Sequence, residues 1–250
     1  MENNGVRINK YLSEAGVCSR READRQVADG NVRIGNRIAD MGDRVQTGES
    51  VYFNGTLVKK EAQMVLLAVN KPVGIVCTAE KREKDNIVDF LHYPTRVYPV
   101  GRLDKDSEGL ILMTNNGDIV NKIMRAGNYH EKEYLVTVDR EVTDSFVHGM
   151  ANGVPLRELD TTTRKCVVQK LGKHKFKIIL TQGLNRQIRR MCEYFGYRVR
   201  SLKRVRIMNI RLDDLPVGKY REVTGDELKM LQKMIADSSN ETVIPKKKGN

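Results

Sequence analysis

The segment GRLDKDSEGL, residues 101–110, constrains the fold of this chain more than any other stretch. Gly101 and Gly109 tolerate backbone conformations that other residues resist, so the segment can bend sharply and let a large ligand approach the main chain. The apolar run LILMT, residues 110–114, predicts a buried strand, and the turn signal Asn116-Gly117 ends it. The sequence therefore places a sharp turn directly before a rigid strand.

The turn carries a cluster of mixed charges. Asp104 lies between Arg102 and Lys105, at the mouth of the predicted sheet. An acid held in a rigid frame suits covalent chemistry, in which an ionised carboxylate attacks carbon. A surface turn with local salt bridges is the commoner fate of such a cluster. The spacing alone favours neither interpretation.

Composition indicates a folded protein with a polyanionic partner. The 250 residues are enough for one domain of ordinary size and a small second one, and 40% of them are hydrophobic. The 44 Lys and Arg residues outnumber the 32 Asp and Glu residues, which gives a net charge of +12. Nucleic acid is the leading partner for such an excess. A structural protein of the ribosome would show the same excess, so charge does not distinguish an enzyme from a binding protein.

The sequence predicts no membrane segment and no metal site. No stretch approaches the roughly 20 apolar residues that cross a bilayer, and the opening MENNGVRINK lacks the apolar core of a signal peptide. We therefore expect a cytoplasmic protein. The cysteines form no CxxC pair and the histidines do not recur at ligand spacing, which predicts reduced thiols and no metal site. These residues are Cys18, Cys77, Cys166, Cys192, His92, His130, His148 and His174.

Residues 1–54 form the first predicted module. Residues 9–15 predict a short helix, and Ser19 with Glu22 predicts a capping box that opens a second helix. Strands are expected at residues 32–34 and 51–53. Helical charges usually form a solvated face, but here they could also contact RNA phosphates. The basic residues concerned are Arg7, Lys10, Arg20, Arg21 and Arg25.

Residues 65–236 form the second predicted module, joined to the first by a linker at residues 55–64. Strand runs and hairpin turns outnumber regular crossovers, which predicts an α+β fold. Strands are expected at residues 65–69, 74–78, 98–100, 134–138, 165–169 and 176–181. Helices are expected to begin at Asp118, Thr143, Asn185 and Thr224. Residues 237–250 predict a basic, flexible tail.

Four ordered blocks carry a family resemblance over most of the chain. Besides residues 101–110, they are NKPVGIVCT at 70–78, HEKEYLVTV at 130–138 and GLNRQIRRMCEYFGYRV at 183–199. Together they resemble the RsuA/RluA group of pseudouridine synthases, which implies a catalytic domain of that fold with a mixed, mainly antiparallel sheet. Residues 6–37 resemble the S4 RNA-binding domain, which implies a small N-terminal α/β module that binds RNA.

The resemblance assigns roles to three catalytic residues. Asp104 matches the nucleophilic aspartate, and Arg189 matches the arginine that pairs with it and opposes its protonation. Tyr134 matches the active-site tyrosine, whose ring could stack on a flipped uracil and whose hydroxyl could carry a proton. From the residues alone, Arg189 could instead bind phosphate and Tyr134 could be a core residue. At helical spacing Arg186 and Arg190 share one side of the predicted helix, about 100° from Arg189.

Further residues are expected to bind the substrate. Arg102 resembles the family arginine that enters the gap left by the flipped base, and the alternative is that it only binds a phosphate. The residues assigned to substrate binding beside it are Leu103, Asn185 and Arg186. The basic strand predicted at 197–207 is expected to contact phosphates. Its basic residues are Arg198, Arg200, Lys203, Arg204 and Arg206.

One interpretation leads, with two alternatives. The leading one is a monomeric RNA pseudouridine synthase without metal or cofactor, which modifies a single-stranded or stem-loop uridine of ribosomal RNA, with the large subunit favoured. The first alternative is a ribosome-binding protein that has the fold without the activity. The second is an RNA N-glycosidase that uses Asp104 and Asp106 as a carboxylate pair, although acids two positions apart in a turn have no fixed separation. In the family, Asp106 is better interpreted as a residue that orients the loop.

Overall fold

The computed structural model describes residues 5–59, 64–80 and 82–238. The chain divides into two compact units. The first contains the amino-terminal part up to Val65 with the short segments Tyr93–Val97 and Asn115–Gly117, and the second contains the remainder. Within the described ranges, no helix is long and apolar enough to span a membrane.

The first unit combines two helices with short strands. Its helices are α1 (Ile8–Glu14) and α2 (Arg20–Ala28). Its strands are β1 (Val6–Arg7), β2 (Val32–Ile34), β3 (Arg37–Ile38), β4 (Arg44–Val45), β5 (Val51–Phe53) and β6 (Thr56–Leu57). The order β3-β2-β5-β6 forms an antiparallel sheet, and β1 pairs with β4. The predicted strands at 32–34 and 51–53 are confirmed.

The core of the first unit draws apolar side chains from both helices and the sheet. Leu12 of α1, Ala23 of α2 and Val32 of β2 are fully buried in one cluster. Ser19 Oγ accepts a hydrogen bond from Glu22 N at 3.2 Å, so the predicted cap of α2 is confirmed. The cap fixes where α2 begins, and the shared core holds α2 to α1 and the strands.

The predicted linker begins too early. The Asn54-Gly55 pair forms a tight hairpin turn, because both residues have positive φ, at 49° and 78°. The chain folds back through it, and β6 pairs with β5. The sheet of the first unit therefore extends to Leu57, beyond the predicted boundary at residue 54. The other domain boundaries stay predictions, and the tail beyond residue 238 lies outside the described residues.

The second unit is built on one nine-stranded sheet. Its strands are β7 (Leu66–Lys71), β8 (Tyr98–Val100), β9 (Glu108–Thr114), β10 (Lys132–Val138), β13 (Val167–Gly172), β14 (Lys175–Leu180), β15 (Val199–Ile207), β16 (Ile210–Arg211) and β17 (Tyr220–Glu222). A separate pair joins β11 (Pro155–Leu156) to β12 (Thr161–Thr162). The main path is β13-β14-β10-β15-β9-β7-β17, with β16 beside β15 and β8 beside β9. All neighbours are antiparallel except β15 and β9, which confirms the expected mixed, mainly antiparallel sheet.

The parallel contact between β9 and β15 is short and close. Lys203 lies opposite Glu108, and Arg204 lies opposite Gly109. Gly109 has φ of 112°, and a Cβ atom there would lie 2.3 Å from the carbonyl oxygen of Arg204. Glycine is therefore required at this position, both for its backbone conformation and for the close approach. The contact brings the turn at 101–107 next to β15.

The helices of this region lie between strands along the chain. They are α3 (Ile87–Leu91), α4 (Gly117–Met124), α5 (Asp144–Ala151), α6 (Gln187–Tyr194) and α7 (Gly225–Met234), with single 3₁₀ turns at Ala126–Asn128 and Arg157–Leu159. Thr143 Oγ1 accepts a hydrogen bond from Phe146 N at 3.1 Å, which confirms the predicted start of α5.

Two predicted helix starts differ from the structure, and a third agrees with it in position alone. Asp118 lies inside the first turn of α4, where its charge suits the helix dipole, and does not cap it. The residue before α6 is Arg186 in the left-handed conformation, not Asn185. Thr224 precedes α7 as predicted, but its side chain makes no capping hydrogen bond.

Residues 74–78 are not the predicted strand. Only Val76 pairs there, in an isolated bridge with Asn86. The loop is held instead by single contacts, including a hydrogen bond from Gly74 N to Lys105 O at 2.8 Å. The other predicted strands of this unit are present, with ends displaced by at most three residues.

Candidate active site

A cavity of about 610 Å³ opens in the second unit where the turn at 101–107 meets the start of β10 and the start of α6. Every predicted catalytic and substrate-binding residue lines it. They are Asp104, Tyr134, Arg189, Arg102, Leu103, Asn185 and Arg186. The fold therefore brings together side chains that lie more than 80 positions apart in the sequence.

Asp104 is held in the turn by a hydrogen bond from Ser107 N to its carbonyl oxygen at 3.0 Å. Its side chain is 35% exposed. The carboxylate atom Oδ2 lies 3.8 Å from Nη1 of Arg186 and 4.0 Å from Nε of Arg189. Both distances exceed a hydrogen bond, so two guanidinium groups face a carboxylate that stays accessible.

Asp106 binds the same two arginines more tightly. Arg186 donates hydrogen bonds from Nη1 and Nη2 to the two carboxylate oxygens of Asp106, each at 3.3 Å. Nη2 of Arg189 also lies 3.3 Å from Asp106 Oδ2. Hydrogen bonding to Asp106 raises the pKa of the Arg186 guanidinium above its ordinary value. These contacts favour a role for Asp106 in orienting the loop.

Arg189 is the buried member of the cluster, with 8% of its surface exposed. Its Nη2 donates to Asp106 O at 3.0 Å and to Ser107 Oγ at 3.3 Å. Its Nε, which faces Asp104, is buried and has no hydrogen-bond partner among the described residues. The predicted pairing with Asp104 is thus a 4.0 Å approach and not a two-pronged hydrogen bond.

Tyr134 lies on β10, between Ile178 of β14 and Arg204 of β15. Its side chain is largely buried but borders the cavity. The guanidinium carbon of Arg204 lies 6.0 Å from the centre of the ring, at the outer limit of a cation–π contact. The ring therefore forms part of the cavity wall, where a flat base could stack on it.

The remaining substrate-binding candidates lie at different depths. Arg102 is exposed, whereas Leu103 is buried and its N–H donates to Cys77 Sγ at 3.3 Å. Asn185 is exposed, and its carbonyl oxygen accepts a hydrogen bond from Arg190 Nε at 3.1 Å. Arg102 is thus free to reorient toward RNA, and Leu103 is fixed.

Arg186 and Arg190 do not share one side, contrary to the helical spacing. Arg186 precedes α6 and has φ of 50°, so the turn and not the helix directs its side chain toward Asp104 and Asp106. Arg190 lies within α6 and pairs with Glu158. The spacing argument fails because it assumes that both residues are helical.

In the first unit, most residues predicted to bind RNA face solvent. Arg7, Arg20, Arg21 and Arg25 are exposed, and Lys10 is half-buried. Two of these charges are partly neutralised on their own helices, since Arg25 pairs with Glu22 and Lys10 pairs with Glu14. Surface pairs of this kind are weak, so they remain available to a polyanion.

The basic strand β15 divides into exposed and engaged residues. Arg200, near its start, and Arg198, which directly precedes the strand, are exposed. Lys203 forms an ion pair of 2.9 Å with Glu108 across the parallel contact. The first two therefore remain candidates for phosphate contact, and Lys203 is already held by a carboxylate.

The predicted phosphate contact of Arg204 is wrong. Only 2% of Arg204 is exposed, and its Nε donates to Leu110 O at 2.7 Å, inside the protein. Arg206 is also mostly buried, and it pairs with Glu131 at 2.9 Å and with Glu133 at 3.0 Å. Its charge is therefore compensated without RNA.

Two residues of the site escape the sequence analysis. Lys132 lies two positions before Tyr134 on β10, so both side chains point to the same face, and it lines the cavity. Burial and the nearby Arg204 lower the pKa of Lys132 to about 8. Ser107 holds Arg189, as described above. The alternation Lys132-Glu133-Tyr134 is the signal that could have identified the lysine.

The similarity of this chain to known proteins agrees with the geometry. Residues 65–194 match the family described as RNA pseudouridylate synthase, and residues 6–51 match the S4 domain. The chain therefore belongs to the RNA pseudouridylate synthase family, whose members are isomerases, and carries an S4 domain. The predicted fold and enzyme class are confirmed.

Particular relatives extend over nearly the whole chain. The dual-specificity RNA pseudouridine synthase RluF of Escherichia coli (strain K12) is 56% identical over 99% of this chain and 85% of its own length. The ribosomal large subunit pseudouridine synthase B of Bacillus subtilis (strain 168) is 32% identical over 94% of this chain and 98% of its own. A crystal structure of a pseudouridylate synthase, at 27% identity, superimposes with a TM-score of 0.66 over 92% of this chain and 99% of that one.

Proposed function

We propose that this enzyme converts uridine to pseudouridine in ribosomal RNA of the large subunit. The observation that carries the proposal is the accessible carboxylate of Asp104, which faces the guanidinium groups of Arg186 and Arg189 inside a cavity large enough for a base. The Bacillus relative is named for the large ribosomal subunit. The net charge of +12 suits a long RNA, because each phosphate contact releases counterions.

Asp104 acts as the nucleophile toward C1′ of the ribose. Its ionised form is the nucleophile, and the two facing guanidinium groups leave it accessible because neither forms a hydrogen bond with it. Asp106 keeps these arginines in place from the other side. This division of labour supports one acid as the reacting group and the other as a support, and it disfavours a pair of equivalent carboxylates.

Tyr134 and Arg102 handle the uridine itself. A base inside the duplex cannot reach Asp104, so the target nucleotide flips out of the stack and enters the cavity. Tyr134 stacks on the uracil and carries a proton through its hydroxyl. Arg102, exposed at the cavity, fills the gap that the base leaves. Leu103 and Asn185 line the remaining wall.

The S4 domain delivers the RNA to this cavity. Its exposed Arg7, Arg20 and Arg21 contact phosphates, and Arg198 and Arg200 add contacts on the catalytic unit. The catalytic domain spans residues 65–236, and the enzyme acts as a monomer in the cytoplasm on a single-stranded or stem-loop uridine.

Pseudouridine mapping tests the proposal. Ribosomal RNA from cells with and without the gene is digested, and the products are separated by chromatography before mass spectrometry, because pseudouridine and uridine have the same mass. We expect one or more large-subunit uridines to become pseudouridine, with no change in mass, only when the gene is present. Complementation with Asp104→Asn should not restore the modification.

The same experiment separates the alternatives. An RNA N-glycosidase would release free uracil and leave an abasic site. A binding protein without activity would change neither the mass nor the uridine signal. Modification confined to other RNA would contradict the large-subunit proposal while leaving the enzyme class intact.

A further inference from the structure

Two buried cations border the cavity without a carboxylate partner. Lys132 is 5% exposed and Arg204 is 2% exposed. Lys132 Nζ donates to His130 O at 3.2 Å, and Arg204 donates to Leu110 O at 2.7 Å. Among the described residues, no carboxylate lies within ion-pair distance of either side chain. Carbonyl oxygens accept these hydrogen bonds, but they do not neutralise the charges.

This arrangement is unusual because buried charges are normally paired. Arg189, the other buried arginine of the site, follows the rule because it pairs with Asp106. The Arg204 atom Nη2 is buried and has no hydrogen-bond partner among the described residues. Lys132 therefore borders the cavity with a charge that no carboxylate neutralises, which suits an anionic group of a bound substrate.

The reaction generates such a charge inside the cavity. The bond between an Asp104 oxygen and C1′ forms as the C1′–N1 bond breaks, and the electron pair of the broken bond stays on uracil. When C5 then attacks C1′, the pair of the oxygen–carbon bond returns to Asp104. The hydroxyl of Tyr134 relays the proton from C5 to solvent water, and N1 takes up one proton from solvent, so the composition of the nucleotide is unchanged.

Position favours uracil over phosphate as the anion that Lys132 meets. Lys132 and Tyr134 point to the same face of β10, so a base stacked on Tyr134 lies beside the ammonium group. Leu180 and Leu202, from the strands on either side of β10, line the same cavity. Apolar walls suit a planar base with delocalised charge better than a strongly hydrated phosphate.

We propose that Lys132 is a catalytic residue that stabilises the negative charge on the departing uracil by a charged hydrogen bond. Arg204 is a positioning residue, because its buried guanidinium group places a second positive charge behind Lys132. The inference rests on the proposed function and adds a leaving-group role that neither Asp104 nor Tyr134 supplies. Lys132 transfers no proton in this step, and its ammonium group acts as a fixed donor.

The test compares three variants of the full-length enzyme on a transcript of large-subunit ribosomal RNA. Lys132→Met removes the charge and keeps the length, and Lys132→Arg keeps a charge. Lys177→Met is the matched control, because Lys177 lies on the neighbouring strand β14 and outside the cavity lining. Single-turnover rates at saturating enzyme, RNA dissociation constants and thermal midpoints are measured for each.

We expect Lys132→Met to lower the single-turnover rate by about 10²-fold or more, the usual loss for one donor at a developing charge. Its RNA dissociation constant should stay within about threefold of wild type. Lys132→Arg should be at least about tenfold faster than Lys132→Met, and Lys177→Met should match the wild type. A thermal midpoint close to wild type for Lys132→Met would show that the loss is not a folding defect.

The pH profile adds a measurement that a structural role would not change. Because the protonated amine is the active form, kcat/KM of the wild type should fall as pH rises through the pKa of Lys132, about 8. Lys132→Met should lack this fall in kcat/KM, and in Lys132→Arg the fall should occur at higher pH.

Three results would overturn the proposal. The first is a single-turnover rate of Lys132→Met within about threefold of wild type. The second is a loss confined to RNA affinity, which would indicate that Lys132 contacts a phosphate. The third is a slow Lys132→Met enzyme whose kcat/KM still falls at alkaline pH as in the wild type. A wild-type enzyme that leaves uridine unmodified would instead contradict the proposed function. If the wild type forms pseudouridine and Lys132→Met is equally fast, only the role of Lys132 is overturned.

Discussion

Gly109 lies directly against the main chain of Arg204. A Cβ atom on Gly109 would be 2.3 Å from the Arg204 carbonyl oxygen and 2.7 Å from its nitrogen. These two residues also pair in the parallel contact between β9 and β15. The guanidinium of Arg204 continues the contact, because its Nη1 donates to Arg102 O at 3.4 Å. The approach therefore ties β15 to the turn that carries Asp104.

Gly109→Ala should destabilise the catalytic unit. The methyl group would overlap backbone atoms, and φ of 112° is unfavourable for alanine, so we expect a loss of at least about 2 kcal/mol in the free energy of unfolding. Thermal and denaturant unfolding measure the loss. Gly172→Ala is the control, since nothing lies within 4 Å of a Cβ there, and it should stay within about 0.5 kcal/mol of wild type. Equal stability of the two variants would contradict the close approach.

Asp104→Asn should abolish pseudouridine formation and leave RNA affinity nearly unchanged. The amide keeps the size of the side chain but loses the nucleophile. Asp106→Asn is the informative comparison, because it weakens the contacts with Arg186 and Arg189 without removing the reacting group. We expect it to be slowed by only about tenfold, or ~1.4 kcal/mol. Single-turnover assays decide the matter, and an Asp104→Asn rate within about tenfold of wild type would rule out Asp104 as the nucleophile.

Arg189→Lys should impair the reaction although it keeps the positive charge. A lysine cannot hold Asp106 O and Ser107 Oγ while also facing Asp104. Loss of one charged hydrogen bond, about 1.5–3 kcal/mol, predicts a rate lower by about 10- to 100-fold. Ser107→Ala removes only the weaker contact and should cost less than about tenfold. A wild-type rate for Arg189→Lys would show that the reaction does not depend on the planar guanidinium group of Arg189.

The role proposed for Tyr134 has two separable parts, the stacking surface and the hydroxyl. Tyr134→Phe keeps the ring, so if the hydroxyl carries a proton the single-turnover rate should fall by about 10²-fold or more while binding survives. Tyr134→Leu should in addition weaken capture of the base by about 1–3 kcal/mol. Full speed for both variants would assign Tyr134 to the core alone.

The S4 domain should contribute to the salt dependence of RNA binding through Arg20 and Arg21, which are both exposed. Replacing both with alanine should reduce the slope of log affinity against log salt by about 1.4 to 1.8, since each phosphate contact contributes about 0.7 to 0.9. The control is the pair Lys229→Ala and Lys233→Ala on α7, which removes the same charge elsewhere. An unchanged slope for the arginine variant would show that these residues do not touch RNA.

Apolar runs predicted most of the strands, because burial of one or both faces leaves a clear pattern in β9, β10 and β14. The pattern did not predict that Arg204 is buried. The register between β10 and β15 shifts between Glu133 and Tyr134, and again between Thr137 and Val138, so strict alternation does not tell which residues of β15 point inward.

The site was accessible from the sequence only through its resemblance to a family. No periodicity links Asp106 to Arg186, which lie 80 positions apart and meet by tertiary folding. The left-handed conformation of Arg186 also carries no clear local signal, since arginine is not a residue that favours it. Lys132 was missed because a lysine at the start of a strand normally indicates a solvated end.

The hydrogen bond between Arg204 and Leu110 joins residues 94 positions apart in the sequence. During translation of the protein, Leu110 is therefore added to the chain long before Arg204. At roughly 5–20 residues per second, Arg204 is added about 5–20 s after Leu110. The sheet of the S4 domain ends at Leu57, so its last strand emerges well before the cavity can close around a uridine. The strands of the S4 domain are therefore translated first, and the residues of the cavity are all present only when β15 has been translated.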